Sequence, residues 1–253
     1  MIYDGFRFFN ELELLDIRLH ELDPVVDKFI IVESTETFSG RSKELIFDKN
    51  RNLFSEFSDK IIHIVAGKSN FTDAMQRDFW QFDHVIHGLK DVTSDDLVMV
   101  GGLDEIPRAE RIREYVAAGN YKYRPFRQNF FMYYLNGFKT GKWNGTAIFP
   151  AEMTKHDKIS QLSLSRQHGV PIREGGWHFS WLGKPEDIKT KIEAYGHQNI
   201  NTVKNKDLKR IQGRIDDGLD LISNRPIEYW DFDDRFPVYV RENREKFNHL
   251  IHE

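Results

Sequence analysis

Three short apolar runs in the first hundred residues predict buried β-strands. They cover residues 29–32, 61–65 and 97–100, and β-branched side chains are frequent in them. Unbroken apolar runs of this length are typical of strands covered on both faces, as in a parallel sheet. The pattern therefore indicates a sheet buried between layers of helices.

Helical periodicity surrounds these runs. Two sets of apolar side chains recur at intervals of three and four residues, as on one face of a helix: Leu12, Leu15, Leu19 and Leu22, then Met75, Phe79, Phe82 and Ile86. Pro107 and Gly119 have the residue types that begin and end a helix, which predicts a third helix over 107–118. Strands that alternate with helices predict an α/β fold with a mixed, mostly parallel sheet flanked by helices.

The second half of the chain has a different pattern. Residues 121–138 are rich in aromatic side chains that partly alternate with polar ones, and Asn136-Gly137 is a turn pair, so strands are expected there. Further strands are predicted near 143–149 and over 175–181, and a helix near 159–168. The charged tail from Pro185 is predicted to be helical. Because no repeat, low-complexity stretch or linker interrupts the sequence, residues 1–253 are predicted to form a single domain.

Composition excludes several function classes. The chain has no cysteine, which excludes disulfides, thiolate metal sites and cysteine nucleophiles. Its 36 Lys and Arg stand against 40 Asp and Glu, a net charge of −4, so nucleic acid is not an expected partner. No leader pattern and no apolar stretch of roughly 18–20 residues is present, so no membrane span and a cytoplasmic location are expected.

Carboxylates follow two of the three apolar runs. Asp104-Glu105 comes after the run at 97–100, and Glu33-Ser34 ends the run at 29–32. Ligands of open α/β sheets bind at the carboxyl ends of the strands. Asp104 and Glu105 are therefore candidate ligands of a hard cation, Mg²⁺ or Mn²⁺, that would bridge nucleotide phosphates. The alternative is a solvated turn whose acidic groups favour the following helix.

The segment 175–181 is a second candidate. On a strand, Trp177, Phe179 and Trp181 would share one face, and His178 and Ser180 the other. Imidazole binds transition metals and aromatic planes stack on sugars, although a packed core is equally consistent with the pattern. Arg124 and Arg127 could hold a phosphate or pair with surface acids. No glycine-rich phosphate loop and no Gly-x-Ser-x-Gly elbow occurs.

An ordered set of short blocks resembles glycosyltransferase family 17. No single block is diagnostic, but all fall in the family's order and together span roughly residues 3–200. The blocks are Asn10-Glu11, 14–22, 25–29, 32–34, 38–40, 45–47, 104–107 and 176–181.

The resemblance implies a GT-A type nucleotide-diphospho-sugar transferase fold, with a nucleotide-sugar-binding half at about 1–120 and an acceptor-binding half with C-terminal helices at about 121–253. It implies transfer of a sugar, N-acetylglucosamine, from a UDP-sugar donor to a glycan acceptor with inversion. By this resemblance, Asp104 matches the second Asp of a metal-binding Asp-x-Asp pair. His178 matches a family histidine that lies near the metal or the diphosphate. Glu33 and Ser34 would hold the nucleoside.

Within this interpretation the remaining candidates have supporting roles. Trp177 and Trp181 would position sugar or support the site, and Arg127 would contact phosphate. Glu105 would assist Asp104 or replace a missing ligand. An inverting reaction needs a general base, and the sequence leaves three candidates for it: Asp157, Glu152 and Asp78.

One departure from the family pattern bears on the cation. Gly102 stands where an Asp is expected, two residues before Asp104. A softer departure is Phe82, at a position where relatives often carry a basic residue. Losing a carboxylate lowers metal affinity unless Glu105 or His178 substitutes. The alternatives are a metal-independent or altered-donor enzyme, or a non-catalytic or weakened carbohydrate- or nucleotide-binding relative.

Overall fold

The parallel part of the fold is built from the first four strands. The computed structural model describes residues 1–253. The strands are β1 (Ile2–Phe8), β2 (Lys28–Ser34), β3 (Ile61–Ala66) and β4 (Leu97–Gly102). They lie side by side in the order β3-β2-β1-β4, and each pairing is parallel. The three strands predicted from apolar runs are confirmed.

Strand β1 was not among the predicted strands, because its sequence IYDGFRF interrupts the apolar run with charged residues. Asp4 is nevertheless fully buried, since Arg18 neutralises it through two hydrogen bonds of 2.8 and 2.7 Å. Gly5 is required by the close approach of Val85: an added Cβ would lie 2.5 Å from its Cγ1. The central strand of the parallel part thus depends on a partner that lies outside its own segment.

The second half of the chain continues the same nine-stranded sheet with antiparallel and mixed pairings. Its strands are β5 (Glu105–Pro107), β6 (Arg124–Met132), β7 (Gly137–Pro150), β8 (Ile172–Ser180) and β9 (Ile227–Tyr229). Strand β7 pairs with β4, and the order runs on as β7-β6-β8-β5, while β9 pairs with β7. The strands predicted in the aromatic stretch, at 143–149 and at 175–181 are confirmed with shifted ends.

Helices flank both parts of the sheet. The helices are α1 (Leu12–Leu22), α2 (Ile46–Lys49), α3 (Ala74–Asp83), α4 (Ala109–Ala118), α5 (Ile159–Leu164), α6 (Pro185–Ala194), α7 (Leu208–Asp216), α8 (Val238–Glu242) and α9 (Arg244–Phe247). The α/β fold class is therefore confirmed. None of the helices has the length and apolar character needed to cross a membrane.

Three helix predictions need correction at their ends. Helix α4 begins at Ala109, because Pro107 still belongs to β5; Gly119 ends it with φ 62°, as expected. Helix α3 stops at Asp83 and continues as the 3₁₀ turn His84–Gly88. The predicted helix at 159–168 likewise ends in a 3₁₀ turn after Leu164.

The tail beyond Pro185 is not helical throughout. It contains β9 and extended stretches between its helices, because backbone groups there pair with the turn before β7 rather than with each other. Asn136 donates to the carbonyls of Trp230 and His252 and accepts from the His252 N–H. The sheet thereby anchors the end of the tail.

Candidate active site

A cavity of about 380 Å³ opens at the carboxyl ends of β1 and β4, the sheet edge where a ligand was expected. Helices α3, α5 and α6 and the end of β8 complete its wall. Among the predicted site residues, the cavity brings together Asp104, Glu105, His178 and Trp181. These four residues come from two segments more than seventy positions apart.

The turn between β4 and β5 presents the two carboxylates. It is fixed from behind by Arg18, whose guanidinium donates to the carbonyls of Gly102, Leu103 and Glu105 at 2.8, 3.2 and 2.9 Å. Because Arg18 is fully buried and also paired with Asp4, the turn is held against the central strand of the sheet. The positions of the carboxylates are therefore set before any ligand binds.

Asp104 is paired with two cationic or potentially cationic side chains. Its Oδ2 lies 3.2 Å from Lys191 Nζ and 3.7 Å from His178 Nε2. Burial alone would raise the pKa of Asp104, but the charges and hydrogen bonds of Lys191 and His178 outweigh it and hold that pKa well below its usual range. Asp104 is consequently a carboxylate throughout the physiological pH range.

Glu105 has a full set of hydrogen bonds. Its carboxylate accepts from Trp143 Nε1 at 2.6 Å, from Arg166 at 2.9 and 3.0 Å, and from the Gly102 N–H at 2.8 Å. Burial opposes its ionisation, yet Arg166 contributes most to lowering the pKa of Glu105 below its ordinary value. This side chain supports the site and has little capacity left for a further ligand.

His178 faces the cavity from β8, with its ring stacked on Phe130 at a centroid distance of 4.5 Å. Its Nδ1 is buried and has no hydrogen-bond partner within the chain. A buried polar atom without a partner costs free energy unless a ligand satisfies it. His178 is thus available to contact a bound molecule.

The two tryptophans near His178 are separated. Trp177 is fully buried on the opposite side of β8, where its Nε1 donates to the Arg235 carbonyl at 2.9 Å. Trp181 lies beyond the end of β8, and its φ of 57° turns its side chain into the cavity wall. The prediction that both share one strand face is therefore wrong: the alternation ends with the strand at Ser180.

Glu33 and Ser34 lie outside the cavity wall. Glu33 is fully buried and accepts from the Phe47 N–H at 3.0 Å and from Lys43 Nζ at 3.3 Å. Ser34 Oγ donates to the Gly67 carbonyl at 3.2 Å. Glu33 stabilises the segment that follows β2 and Ser34 the segment that follows β3, and the cavity wall includes neither of them.

Of the remaining predicted residues, some line the cavity and others do not. Arg127 donates to Asn144 Oδ1 at 2.9 Å and is not part of the wall. Of the three general-base candidates, Asp78 lines the cavity and contacts Arg7, whereas Asp157 and Glu152 do not line it. Asp78 is therefore the one that a ligand in this cavity could reach.

Sequence reasoning missed four cations of the wall: Arg7, Lys43, Arg166 and Lys191. Arg7 packs over the Phe82 ring at 4.1 Å, and burial lowers the pKa of its guanidinium to about 10. A signal existed for Lys191, because it follows Ile188 by three positions and so lies on the apolar face of α6. A lysine on an apolar helix face requires a buried acidic partner.

The donor set does not fit a divalent cation. No group of three or more His, Asp and Glu side chains is arranged to hold one. Glu105 is saturated, Asp104 is occupied by Lys191, and Gly102 supplies no carboxylate. At nucleotide sites Mg²⁺ is held by one or two carboxylates together with waters and phosphate oxygens, and here only Asp104, already shared with Lys191, remains for that role.

Two groups of known proteins share features of this chain. Among solved structures, 4-diphosphocytidyl-2C-methyl-D-erythritol synthase from Anaerococcus prevotii is 13% identical with a TM-score of 0.42, covering 79% of this chain and 98% of its own. Inositol-1-phosphate CTP transferase from T. maritima is 9% identical with a TM-score of 0.42, covering 76% and 93%. These structural likenesses are distant and carry no functional argument.

Sequence relatives give a more specific result. Beta-1,4-mannosyl-glycoprotein 4-beta-N-acetylglucosaminyltransferase of Homo sapiens is 22% identical over 96% of this chain and 53% of its own length. The Rattus norvegicus protein of the same name is also 22% identical, over 72% and 40%. The chain spans about half the length of these relatives or less. A family model described as Glycosyltransferase family 17 matches residues 1–244. The chain therefore belongs to glycosyltransferase family 17.

Proposed function

We propose that this protein transfers a sugar, N-acetylglucosamine, from a UDP-sugar to a glycan acceptor with inversion at the anomeric carbon. The observation that carries the proposal is the cavity at the carboxyl ends of β1 and β4, where Asp104 and His178 meet in a member of this family. The names of the curated relatives support the choice of donor sugar. Charged groups and aromatic rings both line the wall, as a nucleotide sugar requires.

The reaction needs a departing diphosphate, an incoming hydroxyl and an acceptor for its proton. The acceptor oxygen forms a bond to the anomeric carbon while the bond from that carbon to the diphosphate oxygen breaks, and the electron pair leaves with UDP. Cationic side chains of the wall stabilise the charge that develops on UDP. Trp181 and the neighbouring Tyr195, with ring centroids 6.2 Å apart, offer planes against which a sugar packs.

We assign the proton acceptor to Asp78. It lies on α3 in the cavity wall, where it contacts Arg7. An inverting transfer requires a base within hydrogen-bond reach of the attacking hydroxyl. The ion pair with Arg7 orients the Asp78 carboxylate within the cavity wall.

The proposal is tested by measuring UDP release and glycoside formation from UDP-N-acetylglucosamine, with and without Mn²⁺, across a panel of glycan acceptors. Asp104→Asn should lower kcat/KM by about 10²–10³-fold, because it removes the charge that positions Lys191 and His178. Asp217→Asn changes an exposed aspartate that follows the last residue of α7, outside the cavity wall, and should leave activity unchanged.

Two outcomes would contradict the proposal. The first is that UDP and UDP-sugars neither bind nor are consumed under either condition. The second is that Asp104→Asn is as active as the unaltered protein. Saccharide binding without UDP binding would instead favour a non-catalytic carbohydrate-binding protein.

A further inference from the structure

A lysine already supplies positive charge between two carboxylates of the cavity. Lys191 Nζ lies 3.2 Å from Asp104 Oδ2 and 3.2 Å from Glu11 Oε1. Its side chain is only 21% exposed. A buried ammonium shared by two carboxylates is a fixed cation, not a flexible surface charge.

Helix α6 fixes the place of this ammonium. Ile188 and Ile192 are buried in the apolar cluster that joins α6 to α7, and they lie on either side of Lys191 along the helix. Pro185 begins the helix and sets its first turn. The Lys191 stem therefore projects from a rigid element, and its charge reaches the sheet edge in one orientation.

The ammonium retains capacity for a ligand. It carries three N–H donors and donates one hydrogen bond, to Asp104 Oδ2, while Glu11 is an ion-pair partner. At least one donor is left for an oxygen of a molecule in the cavity, and a lysine ammonium is a common binder of phosphate. His178, whose buried Nδ1 has no partner within the chain, lines the same cavity.

The other carboxylates leave little place for a divalent ion beside Lys191. Both oxygens of Glu105 accept hydrogen bonds from Arg166, Trp143 and the Gly102 backbone. At Gly102, an added Cβ would lie 2.7 Å from Asp104 Oδ1, so the Asp104 carboxylate occupies the space beside Gly102. A cation at this edge would have to share the Asp104 carboxylate with Lys191, which is paired with its Oδ2.

We propose that Lys191 acts as the built-in cation of this site: it binds the diphosphate of the nucleotide-sugar donor, and donor binding needs no divalent metal ion. The inference rests on the proposed function, since it names the group that holds the UDP of that reaction. Asp104 and Glu11 are positioning residues for Lys191.

The test is calorimetric titration of the purified protein with UDP in EDTA, and again with Mn²⁺. The unaltered protein should bind UDP in EDTA, and Mn²⁺ should change the dissociation constant by less than about threefold. Lys191→Gln should weaken UDP binding in EDTA at least about tenfold, because a neutral amide replaces the cation. Lys189→Gln, two positions earlier on the same helix, is the matched control and should bind UDP normally.

A second measurement separates charge from folding. Lys191→Arg keeps the charge and should retain more UDP affinity than Lys191→Gln, while circular dichroism checks that both variants fold. Paramagnetic resonance of Mn²⁺ titrated with the unaltered protein, without nucleotide, should show only the free ion. Bound Mn²⁺ at stoichiometric protein would contradict the inference.

The outcomes distinguish the inference from the function. If UDP binds only with Mn²⁺, or if Lys191→Gln binds UDP as tightly as the unaltered protein, the role of Lys191 is wrong while the transferase function stands. If UDP and UDP-sugars bind under no condition, the proposed donor is wrong, and the inference is wrong with it.

Discussion

At the scale of single residues, Arg18 connects the interior of the sheet to the functional edge. It neutralises Asp4 in the middle of β1 and holds three carbonyls of the turn that carries Asp104. Both Arg18 and Asp4 are fully buried, so each depends on the other for its solvation. One guanidinium therefore serves stability and site geometry together.

Arg18→Met is expected to lower the free energy of unfolding by about 3–5 kcal/mol, because it leaves Asp4 charged and unpaired in the interior. Urea denaturation followed by circular dichroism measures the change. Arg173→Met, at an exposed position, should stay within about 0.5 kcal/mol of the unaltered protein. Adding Asp4→Leu to Arg18→Met should recover part of the loss. No recovery would mean that the carbonyl contacts, not the buried charge, dominate.

Sequence reasoning found residues with strong local signals and missed those defined by distant partners. Asp104 and Glu105 followed a recognisable strand, and His178 lay in an alternating aromatic segment. Arg7 and Arg166 had no such signal, because their place in the cavity wall depends on ion pairs with carboxylates far away in the sequence, Asp78 and Glu105. For the same reason β1 escaped prediction: Asp4 looked unfit for a buried strand until Arg18 was known to face it.

At the scale of elements, strand β8 does the most to shape the site. It places His178 on the cavity side and Trp177 in the core, and it pairs with both β5 and β6. Near its middle Gly176 has φ 138°, and an added Cβ would lie 2.1 Å from the Ile106 carbonyl oxygen. The tight contact between β5 and β8 therefore depends on the absence of a side chain.

Gly176→Ala is expected to destabilise the protein by about 2–4 kcal/mol, from backbone strain and the clash with β5. Chemical denaturation gives the value. Gly213→Ala is the matched control: it lies in helix α7 with no atom within 4 Å of an added Cβ, and it should stabilise by about 0.5–1 kcal/mol. Equal effects at the two positions would refute the close approach of β5 and β8.

Element types were easier to predict than element ends. The apolar runs and the helical repeats of α1 and α3 each depend on local periodicity, which burial in the sheet and on its faces preserves. The prediction of a helical tail was wrong because Asn136 forms hydrogen bonds with the backbone of the tail. The prediction for Trp181 was wrong because β8 ends one residue before it. Such boundaries are set by tertiary hydrogen bonds, which leave little trace in a local pattern.

At the scale of the whole molecule, a buried acid makes stability depend on pH. Glu21 on α1 packs toward α8, and burial raises its pKa to about 7. As the pH rises above about 4.5, the ordinary pKa of a glutamate, the unfolded chain loses the Glu21 proton while the folded protein keeps it. Glu21 therefore leaves the free energy of unfolding unchanged below that pH. It lowers the free energy of unfolding increasingly as the pH rises toward 7, and by a constant amount above pH 7.

Glu21→Gln should therefore stabilise the protein relative to the unaltered chain at pH 8 but not at pH 4, with a difference of about 3 kcal/mol between the two conditions. Urea titrations of both proteins at each pH measure it. Glu242→Gln, exposed on α8, should show no such dependence. A constant difference at both pH values would mean that Glu21 is charged in the folded state.

The continuous sheet has a consequence for how the two sides of the cavity work together. Strands β4 and β7 are hydrogen-bonded from Leu97–Pro150 to Val100–Ala147, so no flexible joint separates the parallel part from the rest. Opening the cavity by swinging one half against the other would break that ladder. The pairing of β4 with β7 therefore fixes the distance between the two sides of the cavity, and under the proposed function that distance would limit the size of the substrates that fit. Changes of specificity should arise in the helices and turns around the cavity mouth, where they leave that distance unaltered.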